Sequence, residues 1–273
     1  MKSPILGALT VSTLLVVSAT PAFAVTVCTL LTEADTGKVL AQDGNCNRRN
    51  SPASTFKVAL SLMGYDTGIL KDATTPALPY KPEYNTSNPA WKVTTDPTSW
   101  LAKSVVWYSQ ALTRQMGMAK FEHYVQAFDY GNLDVSGNPG KSDGLTQAWL
   151  SSSLKISPAE QAAFLRRMLN RQLPVVAQAI ELTEQIMPVS TLSNGWRVHG
   201  KTGTGSQLNT DGTPNKARQF GWFIGWADKG NRRVIFVHLI QDERQEPVPG
   251  GLRAKDDMLS SLPAMLNNLY PKS

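Results

Sequence analysis

The chain has 273 residues, 41% of them hydrophobic and 18% charged, with a formal net charge of +6 at pH 7. That length supports one large core or two intimately packed lobes. Lysines and arginines are scattered in short pairs such as Arg48-Arg49 and Arg166-Arg167, not striped among aromatics, which argues against nucleic acid as a partner. The three histidines, His123, His199 and His238, stand far apart, so no metal site is expected.

Residues 1–24 read as a secretory leader. Lys2 is the charged start, Ile5 to Ala19 the apolar stretch, and Ala22-Phe23-Ala24 a small-x-small cleavage site. The apolar stretch is short and interrupted by Ser and Thr, unlike a membrane span; an uncleaved anchor is the alternative. The mature chain then starts near Val25 and is exported, with a periplasmic location and no membrane span expected. Val25 to Leu31, a turn at Asp35-Thr36-Gly37 and Lys38 to Gln42 form a hairpin pattern. Cys28 and Cys46 lie on it; in an oxidising compartment they form a disulfide worth about 3 kcal/mol, two free thiols being the alternative.

Ser51 suits an N-cap and Pro52 a first helical position. Ser54 falls in the first turn, with Lys57 three residues on along the same face. Val58, Ala59, Leu60, Leu62 and Met63 leave little room for a polar face, so this helix is expected to be buried. Desolvation lowers a buried lysine pKa by up to ~3–5 units. A neutral amine beside a hydroxyl is what a serine nucleophile requires. Ser-x-x-Lys is a loose pattern, and Ser152-Ser153-Leu154-Lys155 matches it too, but in a polar run where the lysine is solvated.

Asp72 to Pro97, rich in Pro and Thr, reads as a surface excursion. Asp96-Pro97 opens a helix, and Trp100 to Met116 has helix-compatible composition. Tyr130 to Gly144 reads as a loop. Ser157-Pro158-Ala159-Glu160 is a capping box opening a helix to about Asn170, and another helix covers Val175 to Met187. After the Asn194-Gly195 turn, Trp196 to Gly205, Gln219 to Trp226 and Arg232 to Asp242 read as antiparallel strands. A last helix runs from about Arg253 to Leu269, with Met258, Leu262, Met265 and Leu269 on one stripe and a kink at Pro263. The fold class is therefore α/β of the α+β type: an antiparallel sheet flanked by helices, plus an inserted all-helical lobe. The α/β lobe takes about 25–50 and 190–273, the helical lobe about 51–189, and a cleft is expected at their junction.

Three further elements carry chemistry. Lys201-Thr202-Gly203 lies on the strand after the Asn194-Gly195 turn, where Gly203 and Gly205 permit close approach of a ligand. Lys201 can hold a carboxylate and Thr202 can donate to it. Ser104-Val105-Val106 and Tyr130-Gly131-Asn132 are each uninformative alone. Class A β-lactamases and penicillin-binding proteins carry S-x-x-K, S-D-N and K-T-G, but here Val106 stands where they have Asn.

In this order and spacing, Ser54-Thr55-Phe56-Lys57, Ser104-Val105-Val106, Tyr130-Gly131-Asn132, Trp149 before a serine-rich turn, and Lys201-Thr202-Gly203 resemble the class D serine β-lactamases, the oxacillinases. The resemblance spans the mature chain, including Gly221-Trp222-Phe223 and Gly251-Leu252-Arg253. It implies the serine β-lactamase and penicillin-binding-protein fold as one catalytic domain over 25–273. It implies β-lactam hydrolysis with Ser54 as nucleophile and Lys57 carboxylated by carbon dioxide or bicarbonate as general base. Trp149 then donates to the carbamate and Val106 keeps the pocket apolar. Ser104 relays a proton to the leaving nitrogen. Thr202, Gly203 and Arg253 bind the substrate carboxylate with Lys201 supporting the field, and the N–H groups of Ser54 and Thr204 form the oxyanion hole. Val105, Leu150 and Trp91 are candidate pocket walls. The partner is a small β-lactam, and the enzyme is a monomer or homodimer. A covalent β-lactam receptor that deacylates slowly is the alternative reading.

Overall fold

The computed structural model describes residues 24–84 and 86–271. The expected leader, apart from Ala24, lies outside the described residues. All strands are antiparallel in one six-stranded sheet: β1 (Val25–Glu33), β2 (Val39–Gly44), β3 (Val189–Thr191), β4 (Arg197–Leu208), β5 (Pro214–Lys229) and β6 (Arg232–Gln241), in the order β2-β1-β6-β5-β4-β3. The N-terminal hairpin thus joins the C-terminal strands through β1 and β6, whose register runs from Val25 opposite Gln241 to Glu33 opposite Val234. Cys28 and Cys46 form a disulfide with Cα atoms 5.0 Å apart, tying β1 to the segment beyond β2.

Among the described residues, seven α-helices fall between the hairpin and β3: α1 (Lys57–Asp66), α2 (Pro97–Lys103), α3 (Val106–Met116), α4 (Met118–Ala127), α5 (Gly144–Gln147), α6 (Pro158–Leu169) and α7 (Ala177–Ile186). The last helix, α8 (Gly250–Leu269), starts three residues before the expected Arg253 and runs through Pro263. Strand side chains alternate between faces, and here both faces are covered. Trp222, Ile224 and Trp226 of β5 join the core formed with the inserted helices. Phe223 and Ala227 turn the other way, onto Ala254, Met258, Leu262 and Leu266 of α8. Double coverage explains why β6 is buried from Val234 to Gln241 without a polar face.

Four readings change. Ser51 is not an N-cap: a 3-10 turn, Ala53–Phe56, precedes α1, and no side chain caps either. The expected helical run Trp100 to Met116 is broken, because Ser104 adopts φ 57° and ends α2 while extended Val105 starts α3. Helix α4 was not anticipated. Strand β3 adds an outer partner to β4, but it pairs only with Arg197 to His199, so β4 is free of strand pairing on that side from Lys201 onward. The capping box predicted at Ser157-Pro158 forms at the start of α6, and the helix start read at Asp96-Pro97 opens α2 with a capping box of its own, which was not predicted.

Candidate active site

The turn that carries Ser54 is built from its own strain and from what presses on it. Ala53 takes φ 49°, a conformation that costs a non-glycine residue roughly 1–2 kcal/mol and gathers at functional sites. From Lys57 to Tyr65 every residue of α1 is buried, as the apolar run dictates. Lys57, the first residue of α1, is 0% exposed, and its Nζ lies 3.1 Å from Ser54 Oγ. Burial first, and then the positive charge of Lys201, hold the Lys57 amine well below the ordinary lysine range. The expected pairing of a buried amine with a hydroxyl is present as geometry, and burial disfavours the charged form of that amine.

Ser104 reaches the site because its left-handed backbone breaks the helix there. Its Oγ accepts a short hydrogen bond from Lys201 Nζ, which also donates to Thr202 O at 3.0 Å and lies 3.5 Å from Thr202 Oγ1. Lys201 is 1% exposed; burial, then the charge of Lys255, brings its pKa down to about 7. Strand β4 is pressed onto the Ser54 turn at Gly203, where a Cβ would lie 2.9 Å from Pro52 O and 3.0 Å from Thr55 Cγ2. Thr204 follows, its Oγ1 accepting from Gly251 N–H at the start of α8 at 2.8 Å. The sheet thus carries Lys201, Thr202, Gly203 and Thr204 past Ser54.

Trp149 is fully buried, stacked on Phe56 at 5.5 Å and edge-on to Phe121 at 6.0 Å. Its indole N–H has no hydrogen-bond partner, a costly state for a buried donor. Val106, at the start of α3, is half-buried, whereas Val105 is enclosed in the core and is no open pocket wall. Leu150 and Trp91 are half-buried, and Trp91 Nε1 donates to Lys103 O at 3.0 Å. Arg253 is already engaged: Nη2 donates to the buried carboxylate of Asp242 at 2.5 Å and Nε to Val248 O at 3.0 Å.

Some supporting residues were not found from the sequence. Gln161 is 0% exposed inside α6; its Nε2 donates to Thr55 Oγ1 at 2.8 Å and its Oε1 accepts from Tyr130 at 3.3 Å. Thr55 Oγ1 donates to Pro52 O at 2.7 Å, so the loop Tyr130-Gly131-Asn132 braces the Ser54 turn through Gln161. The one available signal was a polar residue next to Ala162, Phe164 and Leu165, on the apolar part of a helix. Asp242, the partner of Arg253, gave none. The second Ser-x-x-Lys match is not a site of the same kind: Lys155 is exposed. Among the described residues no group of three or more His, Cys, Asp or Glu is placed to hold a metal ion.

Residues 27–259 match the penicillin-binding protein transpeptidase domain family. The chain is 44% identical over 243 residues to β-lactamase OXA-9 of Klebsiella pneumoniae, covering 88% of each. It is 38% identical over 238 residues to β-lactamase OXA-1 of Escherichia coli, covering 86% of this chain and 83% of that one. The crystal structure of the class D β-lactamase OXA-427 superposes with a TM-score of 0.83 at 48% identity, covering 89% of this chain and 99% of that one.

Proposed function

The chain belongs to the class D β-lactamases, and we propose that Ser54 is its nucleophile and a carboxylated Lys57 its general base. It hydrolyses β-lactams through a serine acyl-enzyme. One observation carries the Lys57 reading: a fully buried amine, held well below the ordinary lysine range, lies 3.1 Å from Ser54 Oγ, while Trp149, stacked on the neighbouring Phe56, has an indole N–H without an acceptor among the described residues. Only an unprotonated amine adds to carbon dioxide, and the product carries the acceptor oxygens that Trp149 needs. Half-buried Val106 brings no competing charge. Bound as a carbamate on Lys57, carbon dioxide supplies a carboxylate base in place of an amine.

The chain's own groups do the rest. Ser54 Oγ gives up its proton on the Lys57 side and bonds to the lactam carbonyl carbon. The N–H groups of Ser54 and Thr204 hold the carbonyl oxygen as it gains charge. The ring C–N bond breaks, and the nitrogen takes the Ser104 proton, which Lys201 Nζ replaces across their short hydrogen bond. Thr202 and Arg253 bind the substrate carboxylate beside the Lys201 charge, and Gly203 keeps the strand close to the turn. Water then attacks the ester carbon from the Lys57 side, and Ser54 leaves with its proton restored.

Equilibration with 13C-bicarbonate near neutral pH is expected to give one carbamate signal that Lys57→Ala abolishes. An active preparation without that signal overturns the base assignment. Export follows the same family logic: cleavage after Ala24 places the mature enzyme in the periplasm, and a periplasmic product beginning at Val25 is the result expected by mass spectrometry. An intact leader held in the membrane fraction would contradict it.

A further inference from the structure

Ser51 takes no part in the chemistry above and caps no helix, yet it is 5% exposed and its hydroxyl is bonded both as donor and as acceptor. Its Oγ donates to Trp149 O at 2.7 Å and accepts from Ser151 N–H at 2.9 Å, gripping the backbone on both sides of Leu150. Its carbonyl accepts from Trp222 Nε1 of β5 at 3.0 Å. Ser151 Oγ accepts in turn from Ser206 N–H of β4 at 3.1 Å. The gripped segment is not relaxed: Ser151 sits at φ 56°, a conformation that side-chain-bearing residues rarely adopt. A serine three residues before the nucleophile thus ties together the nucleophile turn, the Trp149 segment and two strands of the sheet.

Aromatic packing against Phe56 and Phe121 holds the Trp149 ring. The backbone from which that ring projects is held by Ser51. We infer that Ser51 is a positioning residue: its two hydrogen bonds to the Trp149–Ser151 backbone set where the unpartnered indole N–H is presented, and so how firmly Lys57 retains carbon dioxide. This rests on the carboxylated-lysine reading. The indole donor has no other acceptor, so a displacement of its backbone acts directly on the one bond it can make.

The test is a bicarbonate titration followed by the 13C carbamate signal, with parallel turnover and melting measurements. In Ser51→Ala the half-saturating bicarbonate concentration is expected to rise about tenfold, within the range that small misplacements in an active site produce. The acyl-enzyme should accumulate at low bicarbonate, and excess bicarbonate should restore turnover. Ser51→Thr, which keeps the hydroxyl, should titrate close to the parent. Ser61→Ala is the structural control, since Ser61 is also fully buried and bonded, to Val58 O at 2.8 Å and Thr183 Oγ1 at 3.0 Å. It should melt earlier with an unchanged bicarbonate requirement. Should Ser51→Ala not fold, Ser51→Cys fills the same space with a poor donor and must show the same raised requirement. A folded Ser51 variant without the hydroxyl that titrates like the parent overturns the inference while the Lys57 reading stands. Absence of the signal from the parent itself removes both.

Discussion

Two lysines are buried in one site, and burial together with a neighbouring lysine's charge lowers the pKa of each. Lys57 is lowered by burial and by Lys201; Lys201 is lowered to about 7 by burial and by Lys255. For Lys201 the unfolded chain, titrating near the ordinary value of about 10.4, binds more protons than the folded one above about pH 7. Stability therefore rises with pH through that window, and the cost of burying the ammonium is fully present below it. Lys201→Met should flatten the rise in melting temperature between about pH 7 and 9, a difference that paired thermal melts would read; parallel curves would reject the assignment. Val106 tests the opposite manipulation. It opens α3, which packs on α1, and a carboxylate there would favour the ammonium form of Lys57. Val106→Asp should raise the bicarbonate needed for half-maximal turnover sharply, and a bicarbonate response equal to the parent's would count against the role given to Val106.

Between elements, the decisive contact is the seat of β4 on the Ala53–Phe56 turn. Gly203→Ala would put a methyl 2.9 Å from Pro52 O and 3.0 Å from Thr55 Cγ2, and backbone cannot yield as a flexible side chain can. The strand must move off the turn that carries Ser54. A loss of about 10²-fold in kcat/KM is expected, as for misplacements near 1 Å, with far-ultraviolet circular dichroism unchanged. Near-parental kcat/KM would show that the seat is loose. This junction also marks how far the sequence could be read. The helix start at Asp96 and the capping box at Ser157 were legible because side chain and backbone bond locally. The buried character of α1 was legible because its apolar residues leave no polar face. The break at Ser104 was not, since nothing between Trp100 and Met116 forbids a helix; the left-handed residue is fixed by tertiary contact with Lys201. The role of Ser51 was misread for a related reason: its partners lie about a hundred residues away, whereas capping rules see only neighbours. Helix α4 begins just after Gly117 at φ 81°, a residue that conceals the second helix behind an apparent stop.

Across the whole molecule, the sheet is the dividing layer, and each face of it buries one histidine. His238 on β6 lies on the α8 side: its Nδ1 pairs with Thr29 Oγ1 at 2.8 Å and its Nε2 is 3.7 Å from Asp257 of α8. His199 on β4 lies on the side of the inserted helices, stacked on Trp226 at 4.9 Å, with Asp228 3.1 Å from its Nε2. Both rings thus belong to the packing of the sheet faces. Burial lowers both pKa values, and the neighbouring aspartates only partly oppose it. A depressed histidine means that the unfolded chain takes up protons first as pH falls below about 6.5. Stability is accordingly lost on acidification from that point, on both faces of the sheet. His238→Gln can keep a hydrogen bond to Thr29 but has no proton to gain. Its melting temperature should fall less steeply than the parent's between about pH 6.5 and 5, while the two converge in slope above neutrality, where the histidine no longer titrates and both keep Lys201. An acid branch as steep in the variant as in the parent would move the sensitivity away from the α8 side and onto other groups.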